Sequence, residues 1–251
     1  MTDAPLAMRS DMTRFVPLRH LTEIVVFLIF FFVTVRYPGT QAISALTWLA
    51  LLAGLMMLRR AELAATLLRW WPLLLATTLA PASAIWSDSP AIAGRYGAQL
   101  LVAAFAGVFL ARTLAPWKLV AVLFLSMLLV CVLSILAGRK DISAEGLVLI
   151  GVLGSKNQMA MMAYLLFVSG LGVLVERRAL RVLRAATLPG MAIGAYIVAT
   201  TASATAQLLI VVSPPLFLGL CVLHRLPPAG RVAAVFALLL TIAPLAAIAP
   251  E

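Results

Sequence analysis

Charged side chains are scarce in this sequence. They make up 11% of its 251 residues, whereas an average soluble protein has about 25%, and 64% of the residues are hydrophobic. No connection between the apolar runs is long enough to bury a core of its own, which argues against a separate soluble domain. We therefore predict one all-α, polytopic transmembrane domain over residues 1–251, with a short cytoplasmic segment at residues 1–20.

Cysteine and histidine are also rare, with two residues of each. Cys131 and Cys221 lie inside apolar runs, where small buried side chains are expected rather than a disulfide or a metal site. His20 and His224 fall on the predicted inner side, so neither is placed to act as a general base on the outer face. The sequence has no metal-ligand cluster, nucleophile elbow or Ser/His/Asp arrangement, and it predicts no metal and no cofactor.

Acidic residues are outnumbered by basic ones, 9 to 19, which gives a formal net charge of +10. Such a charge is found in proteins that bind nucleic acid. Here, however, the basic residues form short clusters between apolar runs rather than one amphipathic face. This placement predicts contacts with membrane lipid headgroups and no nucleic-acid partner.

Nine apolar runs approach the length of about 20 residues that a membrane span requires. Proline interrupts the seventh and eighth, where we expect kinks rather than helix ends. The runs cover residues 21–35, 42–58, 71–85, 91–110, 117–137, 158–175, 187–200, 206–223 and 232–249.

The connections between these runs predict the orientation of the chain. If the N-terminus is inside, the inner segments hold fourteen of the nineteen Lys and Arg residues and the outer segments hold five. Cytoplasmic loops carry the basic excess in membrane proteins. We therefore expect the N-terminus in the cytoplasm and the C-terminus outside.

One outward-facing stretch is Trp86-Ser87-Asp88-Ser89-Pro90, followed by Arg95 and Gln99. A structural reading accounts for its residue types: an interfacial Trp, an Asp or Ser cap, and a Pro in the first helical turn. The alternative is that Asp88 and Arg95 belong to a substrate site.

The second outward-facing stretch is Gly-Val-Leu-Gly-Ser-Lys-Asn-Gln, residues 151–158. Its glycines allow tight turns, and the N-terminal end of the following helix attracts anions, so Lys156 beside it could complete a phosphate-binding corner. The alternative is a helix capped by Ser155 or Asn157 with a snorkelling lysine. It is not a P-loop, because the Gly and Lys spacing differs and no Ser or Thr follows the lysine.

These residues resemble the O-antigen ligase and polymerase superfamily, which includes exopolysaccharide-production proteins. Residues 151–158 match its Gly-x-x-Gly-x-Lys-Asn signature, and residues 86–90 match its earlier Trp-Ser-x-x-Pro element. The resemblance implies about a dozen helices, a large periplasmic loop, and metal-independent glycosyl transfer. The substrate it implies is an undecaprenyl-diphosphate-linked glycan at the outer face of the bacterial inner membrane.

The resemblance assigns substrate-binding roles to Lys156, Asn157, Arg95 and Asp88, and it identifies no catalytic residue. Ala204 stands where members commonly have a basic residue, and the sequence ends at Glu251, where their periplasmic loop begins. We therefore expect an N-terminal portion of such a glycosyltransferase, ligase or polymerase that is inactive alone. It is either a truncated or split product or a member that needs a second chain to supply the loop. The alternatives are a transporter or lipid-linked glycan flippase component, and a product without activity of its own.

Overall fold

The computed structural model describes residues 9–35, 39–143, 146–227 and 230, with side chains from His20 onward. Eight α-helices and one β-hairpin make up this part of the chain. The helices are α1 (Arg9–Thr34), α2 (Gln41–Leu58), α3 (Arg60–Ala82), α4 (Pro90–Thr113), α5 (Pro116–Ala137), α6 (Lys156–Val175), α7 (Arg181–Thr200) and α8 (Ala204–Arg225). The hairpin strands are β1 (Lys140–Ser143) and β2 (Gly146–Leu149).

The predicted all-α membrane architecture is confirmed for the described residues. Helices α2 to α8 are seven in number and are long and apolar enough to cross a membrane, and α1 contributes a shorter apolar stretch, His20–Thr34. The ninth predicted span, residues 232–249, lies outside the described residues.

Helices α1 and α3 begin well before the apolar runs predicted, and α7 begins at Arg181 rather than near residue 187. Helix α3 starts at Arg60 rather than near Trp71, so Arg60 and Arg69 lie within the helix and Arg59 alone separates α2 from α3. Residues 61–68 are mostly Ala and Leu, which favour helix, and no Gly or Pro interrupts them. Helix α1 likewise starts at Arg9, within the segment that we expected to precede it.

The prolines in the apolar runs do not end the helices. Pro72 and Pro81 lie inside α3, and Pro189 lies inside α7. Pro214 and Pro215 lie inside α8. The predicted continuity of the seventh and eighth spans through their prolines is therefore confirmed.

The chain divides into two compact units, residues 1–203 and residues 204–251. In the first unit α5 is central: it packs against α1 and α6, while α2 packs on α1 and α7 packs on α6. Helices α3 and α4 pack mainly on each other. Buried side chains such as Val26 of α1, Leu55 of α2 and Phe109 of α4 form one core cluster. The second unit contains α8.

Specific contacts establish the direction of the helices in the first unit. Lys118 pairs with Glu23, and the Ser126 hydroxyl donates to the Phe27 carbonyl at 3.2 Å, so α5 runs parallel to α1. The Arg59 guanidinium, at the end of α2, donates to Thr22 Oγ1 at 3.0 Å. The end of α2 therefore lies beside the beginning of the apolar part of α1.

The connections consequently lie on two faces of this unit. One face carries residues 83–89, 138–143 and 146–155, which include the β-hairpin strands, and we call it the hairpin face. The other carries Arg59 and residues 114–115 and 176–180, and we call it the Arg59 face. The stretches 86–90 and 151–158 both lie at the hairpin face. That this face is the outer side of the membrane stays a prediction.

Candidate functional site

The segment before α6 returns to the end of α5. Helix α5 ends at Ala137. Gly138 caps it with a φ of +60°, and the Gly138 N–H donates to the carbonyls of Ser134 and Ile135. The antiparallel strands β1 and β2 follow, with Lys140 opposite Leu149. After β2, the N–H groups of Ile150 and Gly151 both donate to the Arg139 carbonyl, at 3.0 and 3.1 Å.

Gly151 lies directly against Ser134 of α5. Its φ is +56°, in the left-handed region, and a Cβ at this position would overlap the Ser134 side chain. The Ser134 hydroxyl accepts a hydrogen bond from Val152 N–H at 3.2 Å, and the Arg139 guanidinium donates to the Gly151 carbonyl at 3.3 Å. Leu153 is fully buried. The glycine-containing segment is therefore fixed to the bundle.

A side-chain cap begins α6. Ser155 is the N-cap, and its hydroxyl accepts from Gln158 N–H at 3.3 Å. The Gln158 side-chain oxygen accepts in turn from Gly154 N–H at 3.2 Å. The cap predicted for Ser155 is confirmed, and it occupies two backbone donors of this corner.

Lys156 and Asn157 are the first two residues of α6, at the position that the sequence predicted. The Lys156 side chain is half-buried and the Asn157 side chain is exposed. The first turn of a helix carries partial positive charge, to which the Lys156 ammonium adds a full one. This corner therefore favours an anionic group, in addition to being capped.

The Trp86–Arg95 segment joins α3 to α4. A 3-10 turn at Ser83–Ile85 ends the first helix of the pair, and Trp86 follows with an exposed side chain. The Ser87 hydroxyl accepts from Ser89 N–H at 3.1 Å, and Pro90 is the first residue of α4. Pro90 thus lies in the first turn, as its residue type predicted.

Asp88 and Arg95 are both exposed at this end of α4. Among the described side chains they form no ion pair. Helix α4 packs mainly on α3, whereas α6 packs on α5 and α7. The two segments therefore belong to different helix pairs, and a shared ligand between them stays a prediction.

The α7–α8 connection is short and carries no basic residue. Thr201 is buried, and its hydroxyl donates to the Val198 carbonyl at 3.0 Å. Ala202 has a φ of +50°, which an alanine adopts only at a cost of about 1–2 kcal/mol. Ala204 is the first residue of α8.

Sequence reasoning missed three residues that hold the corner together: Ser134, Arg139 and Gln158. Gln158 has a local signal, because it stands three residues after Ser155 in a capping-box pattern. Ser134 and Arg139 have no local sequence signal that identifies their partners, since their hydrogen bonds to Val152 and Gly151 span 12 residues or more. The β-hairpin that brings the chain back was not predicted either.

Ion pairs among the described side chains lie at the Arg59 face. Glu23 of α1 pairs with Lys118 of α5, whose side chain is 14% exposed, and Arg59 pairs with Glu62 at 3.2 Å. The described residues contain no group of three metal-ligating side chains.

This fold defines a multi-pass α-helical membrane protein with a capped, lysine-bearing helix start at one face. Comparison with protein-family models, with curated protein sequences and with solved structures finds no match to the chain.

Proposed function

We propose that this chain acts in bacterial surface-polysaccharide assembly, in the manner of the O-antigen ligases and polymerases that it resembles. Its substrate is an undecaprenyl-diphosphate-linked glycan, bound at the outer face of the inner membrane. The observation that carries the proposal is the corner at residues 151–157, where a segment fixed by Ser134 and Arg139 presents Lys156 and Asn157 at a helix start.

The chemistry of a diphosphate suits this corner. A diphosphate leaving group needs positive charge close to its oxygens. Lys156 and the α6 N-terminus supply such charge, and the Arg139 guanidinium lies beside the same segment. The amide of Asn157 offers hydrogen bonds to a sugar or a phosphate.

The Trp86–Arg95 segment supports the proposal from the same face. Trp86 is 67% exposed beside the exposed Asp88 and Arg95. Exposed aromatic and charged side chains are suited to contact a glycan that extends beyond its diphosphate. A lipid-linked glycan is long enough to reach both helix pairs.

The test is binding of undecaprenyl diphosphate to the purified full chain in nanodiscs. We expect Lys156→Gln to weaken binding about tenfold or more, since a hydrogen bond to a charged group is worth about 1.5–3 kcal/mol. Lys140→Gln is the matched control, because Lys140 carries the same charge at the hairpin face on an exposed strand. It should leave the affinity within about twofold.

Equal binding by the wild type and the Lys156→Gln variant would refute the proposed site. Equal losses in Lys156→Gln and Lys140→Gln would show attraction to a basic surface rather than a corner that recognises diphosphate. Melting temperatures of both variants, measured without ligand, establish that each remains folded.

A transporter or flippase component is the second candidate. Charged residues that pair with one another inside a helical bundle mark ion and substrate pathways in transporters. The Glu23–Lys118 pair between α1 and α5 is such a feature in part. Lys118 is the third residue of α5, so the pair lies at the helix end rather than at mid-span. Movement of a lipid-linked oligosaccharide across proteoliposomes, abolished by Glu23→Gln, would favour this second reading.

A further inference from the structure

An apolar groove of about 520 Å³ runs between α3 and α4. None of its lining residues belongs to the candidate site described above. The volume is in the range of about 300–1,000 Å³ that ligand sites have in proteins. The groove is open on one side. In a membrane, that side faces lipid rather than water. Its lining includes Leu67, Trp71, Leu74 and Thr78 of α3 and Val102 and Phe105 of α4.

The groove is closed toward the hairpin face. Gly97 of α4 packs directly on the backbone of Ala80 and Pro81, leaving no room there for even a Cβ. Further along α4, Val102 and Phe105 line the groove. A ligand in the groove therefore extends from this closure toward the Arg59 face.

Each helix carries an arginine on the groove side at the Arg59 face. Arg60 stands seven residues before Leu67, and Arg112 stands seven residues after Phe105. Seven residues are two turns, so each arginine lies within about 20° of the lining residue around its helix and about 10 Å beyond it along the axis. Both side chains are exposed.

Two carboxylates near this end of the bundle are already paired with cations, whereas Glu176 accepts a hydrogen bond from the Arg178 N–H at 2.9 Å. Glu62 pairs with Arg59 and Glu23 pairs with Lys118. Among the described side chains, no carboxylate pairs with Arg60 or Arg112. The end of the groove thus carries uncompensated positive charge on both helices.

We propose that the α3–α4 groove binds one anionic phospholipid of the leaflet at the Arg59 face. One acyl chain lies in the groove against Trp71 and Phe105, and the phosphate contacts Arg60 and Arg112. Basic residues at a membrane surface attract anionic headgroups, and guanidinium groups bind phosphate through paired hydrogen bonds. The site does not depend on the proposed glycan function, which concerns the other face.

The test is native mass spectrometry of the full chain with added phosphatidylglycerol, with phosphatidylcholine as the zwitterionic comparison. We expect one tightly bound phosphatidylglycerol. Arg60→Gln or Arg112→Gln alone should weaken it about fivefold, and the two together about thirtyfold. The control is Arg177→Gln with Arg178→Gln, an equal charge change in the exposed α6–α7 connection.

A second variant tests the groove without changing the charge. Val102→Trp fills the groove while keeping both arginines, and it should remove the bound lipid as well. Retention of phosphatidylglycerol by Val102→Trp would overturn the assignment of the acyl chain. Equal loss in the Arg177/Arg178 control, or equal binding of phosphatidylcholine, would overturn the assignment of the headgroup.

Discussion

Replacing Gly151 by alanine should loosen the corner that presents Lys156. Two costs add together. The φ of +56° is unfavourable for an L side chain by about 1–2 kcal/mol, and the new Cβ overlaps Ser134, where overpacking typically costs about 1–3 kcal/mol. We expect Gly151→Ala to lower the free energy of unfolding by about 2–5 kcal/mol, measured by denaturant titration in mixed detergent micelles.

Gly39→Ala separates the two costs. Gly39 also has a left-handed backbone, with a φ of +82°, but no atom lies within 4 Å of a Cβ at its position. It should therefore lose only the conformational part, about 1–2 kcal/mol. Combining Gly151→Ala with Ser134→Gly should recover only part of the steric cost, since the Ser134 side chain is gone but its Cα still lies 2.7 Å from the new Cβ. A Gly151→Ala variant no less stable than Gly39→Ala would refute the close packing on α5.

Three further perturbations follow from individual contacts. Gly97→Ala should destabilise the α3–α4 pair by about 1–3 kcal/mol, because its Cβ would overlap the α3 backbone. Gly107→Ala, in open space on the same helix, should be neutral or stabilising by up to about 1 kcal/mol. Melting temperatures in detergent compare the two variants, and an equal effect would contradict the close crossing of α3 and α4. Lys118→Met should lower the free energy of unfolding by about 1–3 kcal/mol, because it leaves the half-buried Glu23 carboxylate without its Lys118 partner. Adding Glu23→Gln should restore part of the lost stability. Ser155→Ala should lower the free energy of unfolding by about 1 kcal/mol, because the helix cap is lost. Hydrogen exchange should then be faster at the Gln158 amide, and unchanged exchange would argue against the cap.

The sequence predicts the helical class well because a membrane span needs a long apolar run. Helix α5 illustrates this: the run at 117–137 matches the helix to within one residue. The start of α3 was missed because helix formation depends on backbone propensity as well as on hydrophobicity. Residues 61–68 extend the helix beyond the most apolar stretch.

The candidate site was predictable in part. Ser155, Lys156 and Asn157 lie where a local cap pattern placed them, since capping depends on residues three apart. The contact of Gly151 with Ser134 was not predictable, because it depends on a hairpin of two four-residue strands. Such short strands contain too few residues for a period-two pattern to be distinguished.

The placement of both motifs on one side of the membrane is the central claim, and cysteine labelling tests it most directly. In a background with Cys131→Ala and Cys221→Ser, single cysteines replace Asp88 and Asn157 at the hairpin face and Arg60 and Arg178 at the Arg59 face. These four side chains are exposed. In intact bacterial spheroplasts, a membrane-impermeant maleimide should label positions 88 and 157 directly and positions 60 and 178 only after permeabilisation. Labelling of positions 88 and 157 from different sides would contradict the account.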